Sequence, residues 1–547
     1  MTWRGIVTLV VASLVFCGSW ACSQPDSNNN NTNSNANTNN TNTEQPRPRP
    51  RVEPPKRSVS VTVSEDKTKQ QTVSPRFLSF AVDTAQMAGG VFWDPKAENT
   101  STAGSAKVDP YDFSRPKLRR LAQELSPAYI RIGGTAADET YYDLSDKPVT
   151  KPPNHYEWVL TKVMWDNFHD FVTKLNFRVL FTLNAGRGPR DKDDVWLPDN
   201  SRTLLKYAKS KKTPVDVWEL GNEVNGFALL LGLKLDENGY TRDLKAAKKL
   251  LSEEFPEAKL AGPSCAFWPE LGDFASFYSR FMPVGGKVLD IVTWHYYPQQ
   301  SKRCPTAVRR ATPELMMQPE NLAELDKWAD RVEKFKNEHA PNSTVWLGET
   351  GNAQCGGEPK VSNTFVGGFW WLDQLGRIAR RGQKVVIRQT LSGSDYGLIN
   401  DQTLKPNPDY WNSVLWKRLM GEKVMPVTLS SSNEKHLMAY AHCSAKPANA
   451  PTGSVTVLLL NVHLKDSIRV SLDNLKGSMN VYAVTSDALQ SSKVMLNGKA
   501  LVEEDDGAPP EIKADRQQPG GDKPYLDLGP RSYAFVVMPE ANFSLCR

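Results

Sequence analysis

The chain has 547 residues, 39% of them apolar, with fifteen tryptophans and a formal net charge of +6. This length and apolar content exclude a single small domain and point to two domains with a large core. A charge this modest provides no dedicated nucleic-acid surface, so nucleic acid is not an expected partner.

Met1 to Cys22 carries Arg4, an apolar run from Ile6 to Phe16 and small residues at Ser19 and Ala21. The pattern is that of a secretory signal, too short and wrongly flanked for a membrane span, so an exported protein is expected. Ala21-Cys22 before a polar tail also has the outline of a lipoprotein cleavage site. Two destinations stay open, secretion or membrane attachment through a lipidated Cys22. From Ser23 to Arg57 the chain is Asn/Thr-rich and then Pro/Arg-rich. Such a stretch cannot bury enough surface to offset its ordering entropy, which predicts a disordered linker over 23–57.

Ser58 to Val63, S-V-S-V-T-V, alternates as a half-buried strand should, within a segment expected over 58–72. Apolar strand-like runs follow at Phe77 to Asp83, Ala128 to Gly134, Arg178 to Ala185, Val215 to Glu223, Lys259 to Ser264, Val288 to Tyr297, Thr344 to Gly351 and Lys384 to Leu391. Helical patterns lie between them, among them Pro116 to Leu125, Trp165 to Leu175 and Leu322 to Glu338. Strands alternating with helices pair in parallel, and eight such units close on themselves. The fold class is therefore α/β, a (β/α)8 TIM barrel over 73–415. Beyond Trp411 the strands come closely spaced, at His436 to His442, Ser454 to Val462, Ser467 to Leu472, Met479 to Val484 and Ser532 to Met538. Turn residues and no long helical stretch separate them, which predicts a C-terminal antiparallel β-sandwich over 416–547.

Two of the barrel runs end on a glutamate. V-D-V-W-E-L-G-N-E places Glu223 at the mouth of the fourth, and T-V-W-L-G-E-T-G places Glu349 at the mouth of the seventh. Either alone reads equally well as a strand-end ion pair. Together they suit acetal cleavage, which needs a proton for the leaving oxygen and a carboxylate on the opposite face of the sugar. Asn222, one residue before the acid, is the kind of amide that holds a sugar hydroxyl near the reacting carbon.

W-E-L-G-N-E at Trp218 to Glu223, V-T-W-H-Y-Y at Val292 to Tyr297, W-L-G-E-T at Trp346 to Thr350, R-Q-T at Arg388 to Thr390 and P-D-Y-W at Pro408 to Trp411 occur in order. In these motifs the chain resembles the heparanase-like glycoside hydrolases of family 79, from about Ser58 to the C-terminus. The resemblance implies a retaining β-glucuronide hydrolase with Glu223 as general acid/base and Glu349 as nucleophile, acting on a uronic-acid-containing polysaccharide or oligosaccharide. It implies that Tyr297, favoured over Tyr296, hydrogen-bonds the nucleophile. Asp83 would contact sugar hydroxyls, or else cap a helix. His295 would support the nucleophile or satisfy a buried backbone group. Thr135, Asn184, Gln389 and Tyr396 are rim candidates. Gly356 and Gly357, with the Tyr396 hydroxyl, match the family's uronate-carboxylate site, although C-G-G also reads as a tight turn.

The resemblance further implies a Cys443–Cys546 bridge and a sandwich that borrows the Ser58 to Val63 strand. Cys304 and Cys355, in the loops after the sixth and seventh strands, are candidates for a second bridge, leaving Cys265 free. No cofactor or metal is expected, and the chain is expected to act as a monomer. Where animal members carry a long excised linker after the second strand, this chain has only Asp143 to Glu157, so one uncut polypeptide is expected. Where they carry a basic cluster after the fifth strand, it has A-F-W-P-E-L-G-D-F, which leaves heparan sulfate one substrate among several. Two alternatives remain: another activity of the same clan, such as an arabinofuranosidase or β-xylosidase, and a non-catalytic carbohydrate-binding surface lipoprotein.

Overall fold

The computed structural model describes residues 55, 57–94, 104–268, 272–305, 307–431, 434–519 and 523–547. All of them belong to the compact unit Pro54–Arg547. The signal, Cys22 and all but the end of the linker lie outside the described residues, as do 269–271 of the aromatic and acidic stretch. Among the described residues no helix is long and apolar enough to cross a membrane.

Eight parallel strands, Leu78–Asp83, Tyr129–Gly133, Arg178–Leu183, Val215–Leu220, Lys259–Trp268, Ile291–Tyr296, Thr344–Thr350 and Val385–Arg388, pair in chain order. Val386 opposite Leu78 closes the ring between the last strand and the first. The fold is the expected (β/α)8 barrel. The three helices anticipated from the sequence run Pro116–Gln123, Lys162–Lys174 and Pro319–His339. Further helices at Asp199–Ser210, Glu237–Glu254 and Phe365–Arg380 cover the outside.

Alternate side chains of each strand point into the barrel. The lower interior is apolar, filled by Ala81, Leu180, Val217, Ala261, Ile291, Trp346, Val385 and Ile387. One step nearer the C-terminal mouth the inward residues turn polar and meet as Arg131, Thr182, Glu219 and Thr293. This layer is the floor of the site.

The fourth strand stops at Leu220, three residues before the expected end at Glu223. Gly221 (φ +76°) and Glu223 (φ +52°) both adopt the left-handed region, which no strand continues through. The β-sandwich has more strands than its sequence suggests, since Met420–Met425, Val427–Leu429 and Tyr525–Leu528 also pair. Nor is it wholly antiparallel. Arg57–Val63 lies antiparallel to Val427–Leu429 but parallel to Ile468–Leu472, because it enters from the far end of the chain and no hairpin fixes its direction.

Cys443 is bonded to Cys546 and Cys304 to Cys355, while Cys265 is free and buried. Cys443 lies on Leu437–Ser444, which is not the first strand of the sandwich, and Cys546 in a short 3-10 turn after the last strand. The bridge closes a separation of 103 residues. Replacing both cysteines by serine is expected to destabilise the protein by about 2–5 kcal/mol. The check is a lower urea midpoint than wild type under non-reducing conditions.

Candidate active site

The turn after the fourth strand is held from three sides. The Glu223 amide donates to the Ser264 carbonyl at 2.9 Å and the Asn222 amide to Asp138 Oδ2 at 2.8 Å. Asn225 clamps the neighbouring fifth strand in both directions, giving Nδ2 to the Ala266 carbonyl and accepting the Ala266 amide. Asn222 Oδ1 faces inward and accepts from Arg131 Nη2 at 2.8 Å and the Gly134 amide at 3.1 Å. Its Nδ2 has no protein partner among the described residues.

Glu349 reaches the same end of the barrel through a register shift. The seventh strand pairs Leu347 with Trp294 and then Glu349 with His295, so Gly348 bulges out of the ladder. Strict alternation from the inward Trp346 would turn Glu349 away; the extra residue turns it in. Its Oε1 accepts from the Tyr297 hydroxyl at 2.7 Å and its Oε2 from Arg131 Nη1 at 2.7 Å. Tyr296, by contrast, packs in the core, and its hydroxyl has no partner among the described residues. One carboxylate oxygen of Glu223, one of Glu349 and a ring nitrogen of His295 all lie within 4.8 Å of one another. Glu223 and Glu349 keep 9% and 6% of their surface open, so both remain reachable from solvent.

Arg131, which the sequence reading overlooked, joins the floor to this pair. It is fully buried, and besides Glu349 and Asn222 it donates to Glu219 Oε2 through Nε at 3.1 Å and Nη2 at 2.9 Å. Glu219 is completed by Thr182 and Thr293. Burial opposes the guanidinium charge, but the carboxylates of Glu219 and Glu349 hold its pKa above the ordinary value. A charged residue inside an apolar strand, I-R-I, was the available signal. Asp138 was missed as well. It accepts the amides of Ala185 and Asn222, and burial pushes its carboxyl up to about 8.

His295 does not sit as expected. Its Nδ1 is 3.3 Å from Glu223 Oε1 but 4.0 Å from Glu349 Oε2, and its Nε2 contacts the Ser264 hydroxyl at 2.8 Å rather than a backbone group. Burial, then the Arg131 charge, lowers its pKa well below the usual range, so the ring is neutral. Burial and secondarily the Glu349 charge push the Glu223 carboxyl up to about 8.

Asp83 is a helix cap. Its Oδ1 accepts the Ala85 amide at 2.9 Å in a capping box with Gln86 that starts the helix Thr84–Ala88. Its Oδ2 accepts from Gln389 Nε2 at 3.1 Å, and burial with the Glu349 charge raises its carboxyl to about 7. Thr135 is exposed at the start of a 3-10 turn. Asn184 leaves the rim: its side chain accepts the Gly186 amide of its own loop and donates to the Thr140 carbonyl, tying that loop to the start of Thr140–Asp143.

Tyr396 is buried with Tyr297, Phe92 and Ala85. Gly356 and Gly357 lie on the loop that the Cys304–Cys355 bridge ties to its neighbour, and Arg303 Nη1 donates to the Gly357 carbonyl at 2.9 Å. The amides of Gly356 and Gly357 have no protein acceptor among the described residues. Their φ angles are +82° and +85°, and a Cβ would stand 2.6 Å from Trp93 Cβ or 2.8 Å from the Tyr396 nitrogen. Only glycine fits. Of the remaining family motifs, R-Q-T and P-D-Y-W meet directly, with Arg388 Nη2 donating to Asp409 Oδ2 at 2.8 Å.

The family model for glycosyl hydrolase family 79, N-terminal domain, matches residues 81–376, from the first strand into the helix after the seventh. Heparanase-like protein 1 of Arabidopsis thaliana is 31% identical over 495 residues, spanning 81% of this chain and 88% of that protein. The heparanase of Bos taurus is 30% identical over 526 residues, spanning 87% and 90%. Among solved structures, a 4-O-α-L-rhamnosyl-β-D-glucuronidase from Fusarium oxysporum aligns with a TM-score of 0.62 at 16% identity, covering 87% of this chain and 99% of that one. That likeness speaks for the fold. The family match over more than half of the chain and the relatives' near full-length agreement lead to one statement: the chain belongs to glycosyl hydrolase family 79 and is a glycoside hydrolase.

Proposed function

We propose that the protein is a retaining hydrolase of β-glucuronide linkages in a uronic-acid-containing polysaccharide or oligosaccharide. The observation that carries this is the Glu223 and Glu349 pair, with one carboxylate oxygen of each within 4.8 Å of the other. Retention needs carboxyls about 5–5.5 Å apart, whereas inversion leaves room for a water at about 6.5–9.5 Å. Glu349 attacks the anomeric carbon while Glu223 protonates the departing oxygen. Water, activated by deprotonated Glu223, then opens the glycosyl ester.

The surroundings support these roles. Tyr297 and Arg131 fill both Glu349 oxygens and aim the carboxylate. Asn222, fixed by Arg131 and Gly134, offers its free amide to the sugar beside the reacting carbon. The unpaired amides of Gly356 and Gly357, with the Tyr396 hydroxyl, suit a uronate carboxylate, and the relative from Bos taurus bears the name heparanase. Asp83, Gln389 and Thr135 would meet sugar hydroxyls around the cleft. The signal-like leader, and the two disulfides among the described residues, favour export, either as a secreted monomer or tethered through Cys22.

The acid form of Glu223 starts the reaction, so activity requires a pH below its raised value. kcat/KM is expected to stay level up to about pH 8 and then fall about tenfold per pH unit. Esterification removes the Glu349 charge, one of the causes of that rise, and so frees Glu223 to act as base in the second step. A pH–rate profile on a β-glucuronide with a poor leaving group reads this limb.

The deciding experiment is a hydrolysis panel of aryl β-glucuronide, β-xyloside and α-arabinofuranoside with heparan sulfate and hyaluronan, on wild type and Glu349→Gln. Cleavage of uronides with a β-configured first product is expected. Turnover of neutral glycosides alone would discard the uronate assignment, and saturable binding without turnover would favour a carbohydrate-binding protein.

A further inference from the structure

We propose that the β-sandwich holds a site for one transition-metal cation of the Zn2+ type, built by Glu434, His436 and His463. Glu434 and His436 lead into the strand Leu437–Ser444, and His463 follows its antiparallel partner Val455–Asn461. The terminal pair of that ladder is Leu437 opposite Asn461, so the three side chains meet at one end of the two strands. The Val462 amide donates to the His436 carbonyl at 2.9 Å and locks this end.

One ligand atom from each residue lies within 4.8 Å of the others. Glu434 Oε1 is 3.0 Å from His463 Nε2 and 3.6 Å from His436 Nδ1. In a tetrahedral zinc site with metal–ligand distances of about 2.0–2.1 Å, neighbouring ligand atoms stand about 3.3 Å apart. The observed spacings bracket that edge. Two imidazoles and one carboxylate form a set that suits Zn2+, Ni2+ or Co2+ and leaves one position for water, whereas Mg2+ and Ca2+ prefer oxygen alone.

The surroundings divide the work of the carboxylate. Glu434 Oε2 accepts from Arg57 Nη1 at 3.1 Å, while among the described residues Oε1 takes the His436 amide, also at 3.1 Å, and the His463 ring. Arg57 Nε in turn donates to Asp466 at 3.2 Å. The two imidazoles lie nearly parallel, 4.0 Å apart at 19°, with both reaching one carboxylate oxygen. A cation would open them. Glu434 and His463 are buried and fixed, and His436, 42% exposed at its side chain, is the ring free to turn. The catalytic trio Glu223, His295 and Glu349 has similar spacing, but there Arg131 already occupies Glu349 Oε2. The sandwich site lies beside the incoming strand Arg57–Val63, whose Arg57 shares the Glu434 carboxylate, and is remote in sequence from either catalytic glutamate.

Calorimetric titration of the untagged, chelator-stripped chain with ZnCl2 tests the proposal, with MgCl2 as control. One Zn2+ per chain is expected, with Kd below about 10 μM and no Mg2+ binding. At a hundred times Kd the metal is expected to raise Tm by roughly 2–3 °C. His436→Ala, at a half-exposed ring, is expected to weaken binding at least about tenfold without loss of Tm in the absence of metal, as is His463→Ala. Arg57→Ala should tighten it by removing a competing cation. Aryl glucuronide hydrolysis by His436→Ala is expected at the wild-type rate. Absence of saturable binding, wild-type affinity in both histidine variants, or loss of binding only in Glu349→Gln would each overturn the assignment.

Discussion

Replacing Glu349 by glutamine is expected to lower kcat by about 10⁴-fold or more at a temperature where the variant stays folded. The amide keeps the volume but cannot form the glycosyl ester, and a nucleophile contributes on that scale. Glu223→Gln should behave differently. General acid catalysis is worth about 10²–10⁴-fold, and least when the leaving group departs unaided. A series of aryl β-glucuronides of falling leaving-group pKa would therefore rescue the first step in Glu223→Gln and leave Glu349→Gln inactive throughout. Residual activity of Glu349→Gln within tenfold of wild type would refute its role as nucleophile.

Arg131→Met is expected to damage stability and rate together. The guanidinium is fully buried and meets Glu219, Glu349 and Asn222 at once. Its removal leaves the fully buried Glu219 and the largely buried Glu349 without their compensating charge. Breaking a buried pair in this way costs about 3–5 kcal/mol. The loss should appear as a lower urea midpoint. Glu349 would also lose a donor that aims it, and misplacement near the reacting carbon can cost about 10²-fold in rate. Adding Glu219→Gln to Arg131→Met should recover part of the stability, since one uncompensated charge is gone, without restoring turnover. Full recovery of both would mean that Arg131 acts only as structural support.

The sequence carried the barrel because its period is local. Each apolar run of strand length followed by a helical stretch is legible one unit at a time, and only the ends slipped where backbone angles intervened, as at Gly221 and Glu223. The sandwich was less legible. Met420–Met425 reads M-G-E-K-V-M, too polar and irregular to signal a strand, and Val427–Leu429 is too short. Val427–Leu429 is formed by pairing with Arg57–Val63, remote in sequence, and Met420–Met425 lies between Leu437–Ser444 and the equally remote Gln71–Thr72.

In the site, glutamates, amide and tyrosine could be named from motifs, but what each side chain does was open. Asp83 and Asn184 proved to accept backbone amides two residues on, a competition that composition does not resolve. His295 leans toward Glu223 because Ser264 and Arg131 fix its surroundings. The sequence by itself therefore determined the strand order, the placing of two acids at strand ends and the family motifs that contain them. Tertiary structure alone decided that Glu349 faces inward, through the bulge at Gly348, and that Arg131 ties the acid layer together across three strands. The physical reason is range: strand period and motif spacing are written in consecutive residues, whereas register shifts and buried charge pairs arise only when distant segments compete for the same enclosed volume.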